Sequence, residues 1–455
     1  METNLTKGSV WKNVIYFSLP YLLSYFLQSL YGMADLFIVG QFNATNSITA
    51  VSIGSQVMYM LTVMIVGLAM GATVNIGHAV GAGDHKRASQ TIGNTIVLFM
   101  TVSVAATIFL LALVRPIVAV MSTPTEAVAG TIQYLTICFI GIPFITAYNI
   151  ISSIFRGLGD SKRPMYFVAV ACITNIALDY LFIGWFRFGP VGAALGTTIS
   201  QTISVIVALI TILKRNTAVS LNKECFRPRQ AILKPILQVG IPVSLQDGFV
   251  QIAFILITVI ANRRGLNDAA AVGIVEKVIG FMFLIPSTML STVSALAAQN
   301  IGAKQHERAR QTLRYAVSIC VCFGLVVAVC VQFVAEDIVA LFDATPAVVL
   351  AGGQYLRGYI WDCVFAGIHF CFSGYFCAYG KSGISFLHNI LSILLVRIPG
   401  AYMMSKLFAN TLLPMGLAAA VGSLLSVFIC VFAYWYLRRT MPELRNLDSV
   451  EKIKY

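Results

Sequence analysis

The sequence contains little charge for its length, since Asp, Glu, Lys and Arg together make up 11% of 455 residues. A soluble domain typically has about 25% charged residues, which coat the particle with polar surface. Hydrophobic residues make up 58% of the chain, and the mean hydropathy is +0.83. This composition excludes an ordinary soluble protein and predicts a protein whose solvent is lipid.

Negative charge is the scarcer sign, with 18 acidic residues against 31 basic ones and a formal net charge of +13. An excess of positive charge is typical of nucleic-acid binding proteins. Here the basic residues lie in short loops beside apolar runs, where lysine and arginine orient membrane helices. We therefore predict no nucleic-acid partner.

Sequence patterns of catalysis are also missing. The chain has neither HExxH nor GxSxG and no glycine-rich phosphate loop. Its five histidines and ten cysteines show no metal-ligand spacing, and most of the cysteines lie inside apolar runs, where they are expected to be free thiols. We predict that the protein is not an enzyme, hydrolyses no nucleotide and needs no cofactor or metal other than a transported ion.

Long apolar runs are the main feature that is present. A helix needs about 20 apolar residues to cross the hydrocarbon core. The first run is longer than a signal-peptide core of about 7–15 residues, so it is expected to remain as a membrane helix. Runs of sufficient length lie at 14–40, 49–79, 91–114, 127–154, 164–187, 190–213, 235–262, 270–299, 311–334, 347–378, 384–407 and 414–437. The sequence therefore predicts an all-α polytopic membrane protein with about twelve transmembrane helices.

The distribution of lysine and arginine between alternate loops predicts the orientation. One set of loops contains 20 of these residues, including Lys86, Arg156 and Lys304, whereas the opposite set contains five. Because basic loops stay in the cytoplasm, both termini are expected on the cytoplasmic side of the membrane. The predicted divisions are an N-terminal lobe at 1–213, a cytoplasmic linker at 214–234, a C-terminal lobe at 235–440 and a cytoplasmic tail at 441–455.

The two halves of the chain repeat one another. The motif GAGDHKRA at 81–88 matches GAKQHERA at 302–309, an offset of 221 positions. The same offset relates Gln133-Tyr134-Leu135 to Gln354-Tyr355-Leu356. Because each half has six helices, an even number, both halves run in the same direction. Such parallel repeats are typical of transporters that bind substrate between two lobes, although a duplicated structural scaffold is the alternative.

Acidic residues inside the apolar runs are candidates for function, because a carboxylate at the bilayer centre costs about 2.5–3.5 kcal/mol on insertion scales. Asp35, Asp179, Glu276 and Asp362 have no acidic counterpart at the repeat offset, so the shared bundle does not need them. Asp247 is the fifth intramembrane acid. This asymmetry favours a functional role over a structural one.

The first half has the clearer constellation of polar residues. Gln28 and Asp35 are seven positions apart and share a helix face, as do Asn175 and Asp179, four positions apart. Thr197, within a Gly-Thr-Thr step of the sixth helix, adds a hydroxyl group. Such oxygens bind small hard cations such as Na⁺, and two neighbouring carboxylates can alternatively share one H⁺. The structural alternative is that these residues only join helices by hydrogen bonds.

The second half contains charges of both signs. Glu276, Lys277, Arg357 and Arg397, together with Asp362, are predicted to form a salt-bridge network that closes this lobe; Asp247 is grouped with them. A direct role of Asp362 in binding substrate is the alternative. Aromatic residues such as Tyr31 are candidates for an adaptable substrate cavity or, alternatively, for packing.

Together these motifs resemble one known family. The two GA-containing loops, the Ser18-Leu19-Pro20 opening and the turn at 156–160 (RGLGD) are similar to the multidrug and toxic compound extrusion (MATE) transporters of bacteria, along essentially the whole chain. The resemblance implies two six-helix lobes in a V shape. It also implies export of small organic, often cationic, compounds by alternating access in exchange for H⁺ or Na⁺.

The resemblance implies site residues as well. Pro20 matches a first-helix proline, where the missing backbone hydrogen bond permits bending. Gln28 and Asn149 match polar residues of the substrate cavity, and Ser152 stands where many relatives have a second asparagine. The residues that match the cation-binding pocket of the family are Asp35, Asn175, Asp179 and Thr197.

A second function remains open on the sequence alone, namely a lipid-linked glycan flippase of related architecture. Such a flippase is expected to have a cluster of positive charge in its central cavity. The intramembrane bases Lys277, Arg357 and Arg397 all lie in one half, which favours the exporter. The expected partners are small organic substrates and membrane lipids, and the expected state is a monomer.

Overall fold

The computed structural model describes residues 5–42, 45–213 and 222–444. Within these ranges there are twelve helices that are long and apolar enough to cross a membrane, and there is no strand. We number them α1 (Val10–Phe42), α2 (Thr45–Gly81), α3 (His85–Val120), α4 (Thr125–Gly157), α5 (Lys162–Trp185), α6 (Pro190–Ile212), α7 (Gln230–Asn262), α8 (Leu266–Gly302), α9 (His306–Ala340), α10 (Pro346–Ala378), α11 (Ser382–Leu407) and α12 (Leu413–Thr440). The predicted all-α architecture with about twelve spans is confirmed. Part of the predicted linker, 214–221, and most of the predicted tail, 445–455, lie outside the described residues.

The helices expose large apolar side chains that a soluble protein would bury. Phe109 on α3, Phe333 on α9 and Phe432 on α12 are all exposed, and 78% of the surface of Phe333 is accessible. A helix that is apolar on all sides is suited to hydrocarbon, where its backbone groups must be satisfied within the helix itself. These surfaces are what a multi-pass membrane protein presents to lipid.

Two membrane helices contain a π-helical segment. In α5, Lys162–Asp179 continues into a π-helix at Tyr180–Trp185. In α11, a π-helix at Ile393–Arg397 separates Ser382–Ser392 from Ile398–Leu407. The first begins directly after Asp179 and the second ends at Arg397. Such π segments frequently occur at functional sites, because the extra residue per turn redirects the side chains beside it.

The chain forms two compact units whose boundaries lie inside helices. Among the described residues, the first unit runs from Leu19 to Gly240, and the second combines 5–18 with 241–444. The start of α1 therefore belongs to the second unit, and the start of α7 belongs to the first. The divisions drawn from the sequence, at 1–213, 214–234, 235–440 and 441–455, stay predictions.

Contacts within the second unit explain where the first residues lie. The guanidinium group of Arg308 on α9 donates to the backbone oxygen of Gly8 at 2.8 Å. The ring of Trp11 packs edge-on against Tyr315, with the ring centres 5.4 Å apart. The apolar pattern of the sequence contains no information on these contacts, because Gly8, Trp11 and Arg308 lie outside the predicted apolar runs.

A corresponding set of contacts holds the segment before α7 in the first unit. Asn94 on α3 donates to the backbone oxygens of Cys225 and Arg227, each at 3.1 Å, and accepts from the backbone N–H of Arg229 at 2.7 Å. Gly240 on α7 lies so close to Leu68 on α2 that a methyl group there would overlap a backbone oxygen. Small residues permit this close helix packing, which is common in membrane proteins.

Candidate functional site

Four residues predicted to bind a cation lie together in the first unit. The hydroxyl group of Thr197 on α6 donates to Oδ2 of Asp35 on α1 at 3.3 Å. The side chains of Asp179 and Asn175 on α5 lie beside Asp35. Asp35, Asn175 and Asp179 are buried. The structure thus brings the two carboxylates, the amide and the hydroxyl into one cluster.

Most polar atoms of this carboxylate cluster lack partners. Within the part of the chain that the structure describes, Oδ1 of Asp35, both oxygens of Asp179 and both polar atoms of Asn175 have no hydrogen-bond partner. No described lysine or arginine forms an ion pair with either carboxylate. Buried polar groups are normally paired, because an unpaired one carries the full cost of leaving water. Converging oxygens without a counter-charge suit a small cation or a proton.

Gly196 allows the cluster to form. A methyl group at this position would overlap Oδ1 of Asp179 and lie 3.6 Å from Nδ2 of Asn175. The absence of a side chain therefore lets α6 approach the acidic face of α5. Sequence reasoning noted Gly196 only as the neighbour of Thr197, because helix packing that needs a glycine leaves no periodic signal.

A narrow polar cleft lies between α1, α4 and α5 in the same unit. Three residues predicted for the substrate cavity line it, namely Gln28, Asn149 and Ser152. Arg156 also lines the cleft, although the sequence indicated for it only a role in orientation. Asn149 donates to the backbone oxygen of Ile145 at 2.8 Å. Side chains with hydroxyl or amide groups thus form much of the lining, beside apolar surface from tyrosine rings, Pro164 and Val168.

The other two residues predicted for the substrate cavity lie elsewhere. The hydroxyl group of Tyr31 accepts from Nε2 of Gln201 on α6 at 3.5 Å, and Tyr31 does not line the cleft. Asp362 belongs to the second unit. Pro20 lies inside α1, which continues unbroken through it, and Ser24 donates to the Pro20 backbone oxygen at 2.8 Å.

In the second unit a buried carboxylate is paired with a base. Arg397 on α11 donates to Oδ2 of Asp362 on α10 at 2.9 Å and to the hydroxyl group of Tyr359 at 2.7 Å. Glu276 on α8 accepts from the hydroxyl group of Thr258 at 3.2 Å and interacts electrostatically with Arg397. Three members of the predicted charge network therefore lie together.

The remaining charges of the predicted network lie apart from this group. Arg357 pairs with Glu336 on α9 at 2.8 Å, a partner that sequence reasoning missed. Arg357 and Asp362 are five positions apart, which turns their side chains about 140° from each other on a helix of about 3.6 residues per turn. Lys277 is exposed, and Asp247 is half-buried. The network is thus smaller than predicted.

The fold and the carboxylate cluster define a multi-pass membrane protein with a duplicated unit and a candidate ion site in its first half. The chain belongs to the MatE family, whose model matches residues 20–181 and again residues 242–403. One match in each half agrees with the internal repeat, and the resemblance to MATE transporters is confirmed.

Named relatives and solved structures cover nearly the whole chain. The probable multidrug resistance protein YoeA of Bacillus subtilis (strain 168) is 28% identical, over 88% of each chain. The multidrug export protein MepA of Staphylococcus aureus (strain NCTC 8325 / PS 47) is 25% identical, over 98% of each chain. A crystal structure of MATE in complex with MaL6 superimposes with a TM-score of 0.90, at 24% identity, over 98% of this chain and 99% of that one. The last comparison concerns the fold alone.

Proposed function

We propose that the protein exports small organic compounds, often cationic ones, across the inner membrane of a bacterium in exchange for H⁺ or Na⁺. The observation that carries the proposal is the pair of buried carboxylates, Asp35 and Asp179, whose oxygens converge without a counter-charge. Export fits the names of the multidrug relatives. The coupling ion is a transported substrate, held by Asp35, Asn175, Asp179 and Thr197.

Coupling follows from the position of both sites on α1. Asp35 belongs to the carboxylate cluster, whereas Gln28, which lines the cleft, is seven residues earlier on the same helix. Seven residues of helix span about 10.5 Å. An ion that neutralises Asp35 changes the preferred position of α1, and the hinge expected at Pro20 lets the cleft respond. Exchange requires that ion and compound differ in affinity for the two states.

The flippase is the weaker candidate. It needs a cluster of free positive charge in a central cavity, whereas Arg397 is paired with Asp362 and Arg357 with Glu336. Lys277 is the remaining base of the three and is exposed. Pairing lowers the attraction of these guanidinium groups for a lipid-linked phosphate.

The proposal includes a monomer with both termini in the cytoplasm. Single-cysteine labelling of intact cells, in a cysteine-free background, should therefore miss the loops at 84–87 and 304–310 and position 381. Labelling should reach positions 41–47 from outside. Efficient labelling of Lys86→Cys or Lys304→Cys from outside would overturn this orientation.

The decisive experiment measures efflux in proteoliposomes, with pH and sodium gradients imposed separately. Asp35→Asn and Asp179→Asn should each abolish coupled efflux while the protein remains folded. Asp337→Asn, which removes an exposed carboxylate on α9, is the matched control and should transport normally. Transport at the wild-type rate by either cluster variant would contradict the assignment of the coupling site.

A further inference from the structure

Arg156 stands out in the polar cleft because it is the one charged residue among those that line it. Its guanidinium group lies over the ring of Tyr21, 5.3 Å from the ring centre. No described carboxylate forms an ion pair with it. The nearest acidic residue in sequence, Asp160, is paired instead with Arg163 at 3.1 Å. The cleft therefore has a net positive charge.

The groups around Arg156 are mainly hydroxyl and amide groups, which can donate as well as accept hydrogen bonds. Ser152 is 3% exposed, and its hydroxyl group has no hydrogen-bond partner among the described residues. Gln28 and Asn149 add amide groups to the wall. Ser161, the residue before the first turn of α5, lines the cleft as well, so the cleft adjoins the positive end of that helix dipole.

The repeat shows that the bundle does not need this arrangement. At the offset of 221 positions, Arg156 corresponds to Cys377, Gln28 to Phe249 and Asn149 to Phe370. Ser152 corresponds to Ser373, whose hydroxyl group lies 2.8 Å from Nε2 of His388. The second unit therefore has a thiol, two aromatic rings and a satisfied serine where the first unit has a guanidinium group, two amide groups and an unsatisfied serine.

We propose that Arg156 is the centre of an oxyanion subsite, which binds the carboxylate or phosphate group of an organic molecule. The planar guanidinium group can donate two parallel hydrogen bonds to such a group, and the free hydroxyl group of Ser152 supplies a further donor. The tyrosine rings of Tyr21 and Tyr25 in the wall favour an aromatic or amphiphilic body. The inference rests on the proposed function and deepens it, because it adds compounds with an anionic group, zwitterions among them, to the cationic compounds proposed as substrates.

The same chemistry has two possible sources, a small aromatic anion from the cytosol or the phosphate of an anionic lipid. The first arm of the test titrates the purified full-length protein, in a neutral maltoside detergent, with benzoate and phenyl phosphate by calorimetry. The second arm measures phosphatidylglycerol that remains bound to the protein by native mass spectrometry. Binding in the first arm identifies a soluble ligand, and retention in the second identifies a lipid.

Arg156→Gln should weaken binding of the probe about tenfold or more, because a charge-assisted hydrogen bond is lost. Ser152→Ala should weaken binding about threefold to tenfold. Lys162→Gln, which removes an exposed positive charge six positions further on, is the control and should leave affinity unchanged within about twofold. If Arg156→Gln fails to fold, Arg156→Lys keeps the charge but loses the two parallel bonds, and about threefold to tenfold weaker binding is expected.

Three results would overturn the subsite. These are a wild-type protein that binds neither probe and retains no phosphatidylglycerol, an Arg156 variant that binds as the wild type does, or an equal loss in Lys162→Gln. The titrations use no ion gradient. Failure of the subsite is therefore distinguishable from failure of coupled export, which the Asp35 and Asp179 variants test.

Discussion

The two units place buried charge in the membrane in different ways. In the first unit, Asp35 and Asp179 lie together without a cation, and most of their oxygens lack partners among the described residues. In the second unit, Asp362 is as deeply buried, but Arg397 lies 2.9 Å from its Oδ2. Both clusters adjoin a π-helical segment, at Asp179 and at Arg397. A duplicated scaffold has thus acquired one uncompensated and one compensated charged site.

The difference bears on which unit can exchange an ion. A carboxylate with a fixed guanidinium partner has no need of a second cation, whereas two carboxylates without one favour any ion or proton that reaches them. The paired site resists change for the same reason, because separating the pair exposes a buried charge to a medium of low dielectric constant. We therefore expect the first unit to bind the transported ion and the second unit to be the stiffer of the two at this depth.

The largest expected effect tests directly whether Asp362 and Arg397 stabilise each other, whereas Asp35 has no such partner. Asp362→Asn leaves the Arg397 guanidinium group buried without its carboxylate, which should destabilise the protein by about 3–5 kcal/mol. Asp35→Asn removes a charge that has no cation to lose and should leave stability unchanged or improved. Thermal melting in detergent compares the two variants.

The control for this comparison is the double variant Asp362→Asn/Arg397→Gln, which removes both charges. It should melt at a higher temperature than Asp362→Asn alone, because no uncompensated charge remains. If Asp35→Asn destabilises the protein as much as Asp362→Asn does, the contrast between the two units is wrong.

The next effect is the dependence of transport on membrane voltage, which gives the number of ions that the first unit exchanges. If Asp35 and Asp179 share one H⁺ or bind one Na⁺, exchange for a monovalent cationic compound moves no net charge. Exchange for a neutral compound moves one charge and gains about 2.3 kcal/mol per 100 mV. This would support a gradient of about fiftyfold, at about 1.4 kcal/mol per decade.

The measurement uses proteoliposomes under a potassium-valinomycin potential, with one cationic and one neutral compound. Equal responses of the two compounds would exclude exchange of a single ion. If voltage affects transport of the neutral compound twice as strongly as expected, a second site exchanges an ion. That result would contradict the expectation that Asp362, paired with Arg397, binds no transported ion.

The sequence predicted the fold well because its signals are long and redundant. Twelve apolar runs and loops repeated at a fixed offset determine the number of helices and the duplication. Even the backbone of the repeated loops agrees, since Gly83 and its counterpart Lys304 both have a left-handed conformation, with φ of 71° and 59°. The sequence could not show that the first part of each half belongs to the other unit, because contacts such as Trp11 with Tyr315 join distant residues without a periodic pattern.

For the candidate sites, the sequence indicated the individual polar residues better than their partners on other helices. Asp35, Asn175 and Asp179 were candidates because acids and amides are rare in apolar runs, whereas Thr197 came from the Gly-Thr-Thr step and the family resemblance. Their role in binding a cation stays a prediction. Ion-pair partners were harder to predict from the sequence. Arg357 pairs with Glu336 at 2.8 Å, whereas the sequence grouped it with Asp362. Spacing along one helix indicates only which side chains share a face. The partner on a neighbouring helix depends on packing.

A smaller effect should follow from substitution at Gly196. Gly196→Ala places a methyl group where it overlaps Oδ1 of Asp179, so the acid must shift or α6 must move away. Overpacking of this kind typically costs about 1–3 kcal/mol. We expect efflux to fall about tenfold at a fixed ion gradient, while the second unit remains unaffected.

Gly273→Ala is the matched control, because Gly273 lies in α8 and has no atom within 4 Å of an added methyl group. It should transport as the wild type does, and alanine should slightly stabilise that helix. Normal efflux by Gly196→Ala would show that the position of Asp179 is not critical, and the carboxylate cluster would lose its assigned role.

The smallest effect distinguishes the two threonine hydroxyl groups that donate to acids. Thr197 donates to Asp35 at 3.3 Å in the first unit, and Thr258 donates to Glu276 at 3.2 Å in the second. Valine has the shape of threonine but lacks the hydroxyl group, so Thr197→Val removes one hydrogen bond or ion ligand, worth about 0.5–1.5 kcal/mol. The ion concentration for half-maximal efflux should therefore rise about twofold to tenfold. Thr197→Ser keeps the hydroxyl group and should transport normally.

Thr258→Val should alter only the melting temperature, because the second unit is not expected to exchange the ion. If Thr258→Val shifts the ion dependence and Thr197→Val does not, the ion site lies in the second unit, and the assignment of the two units must be reversed.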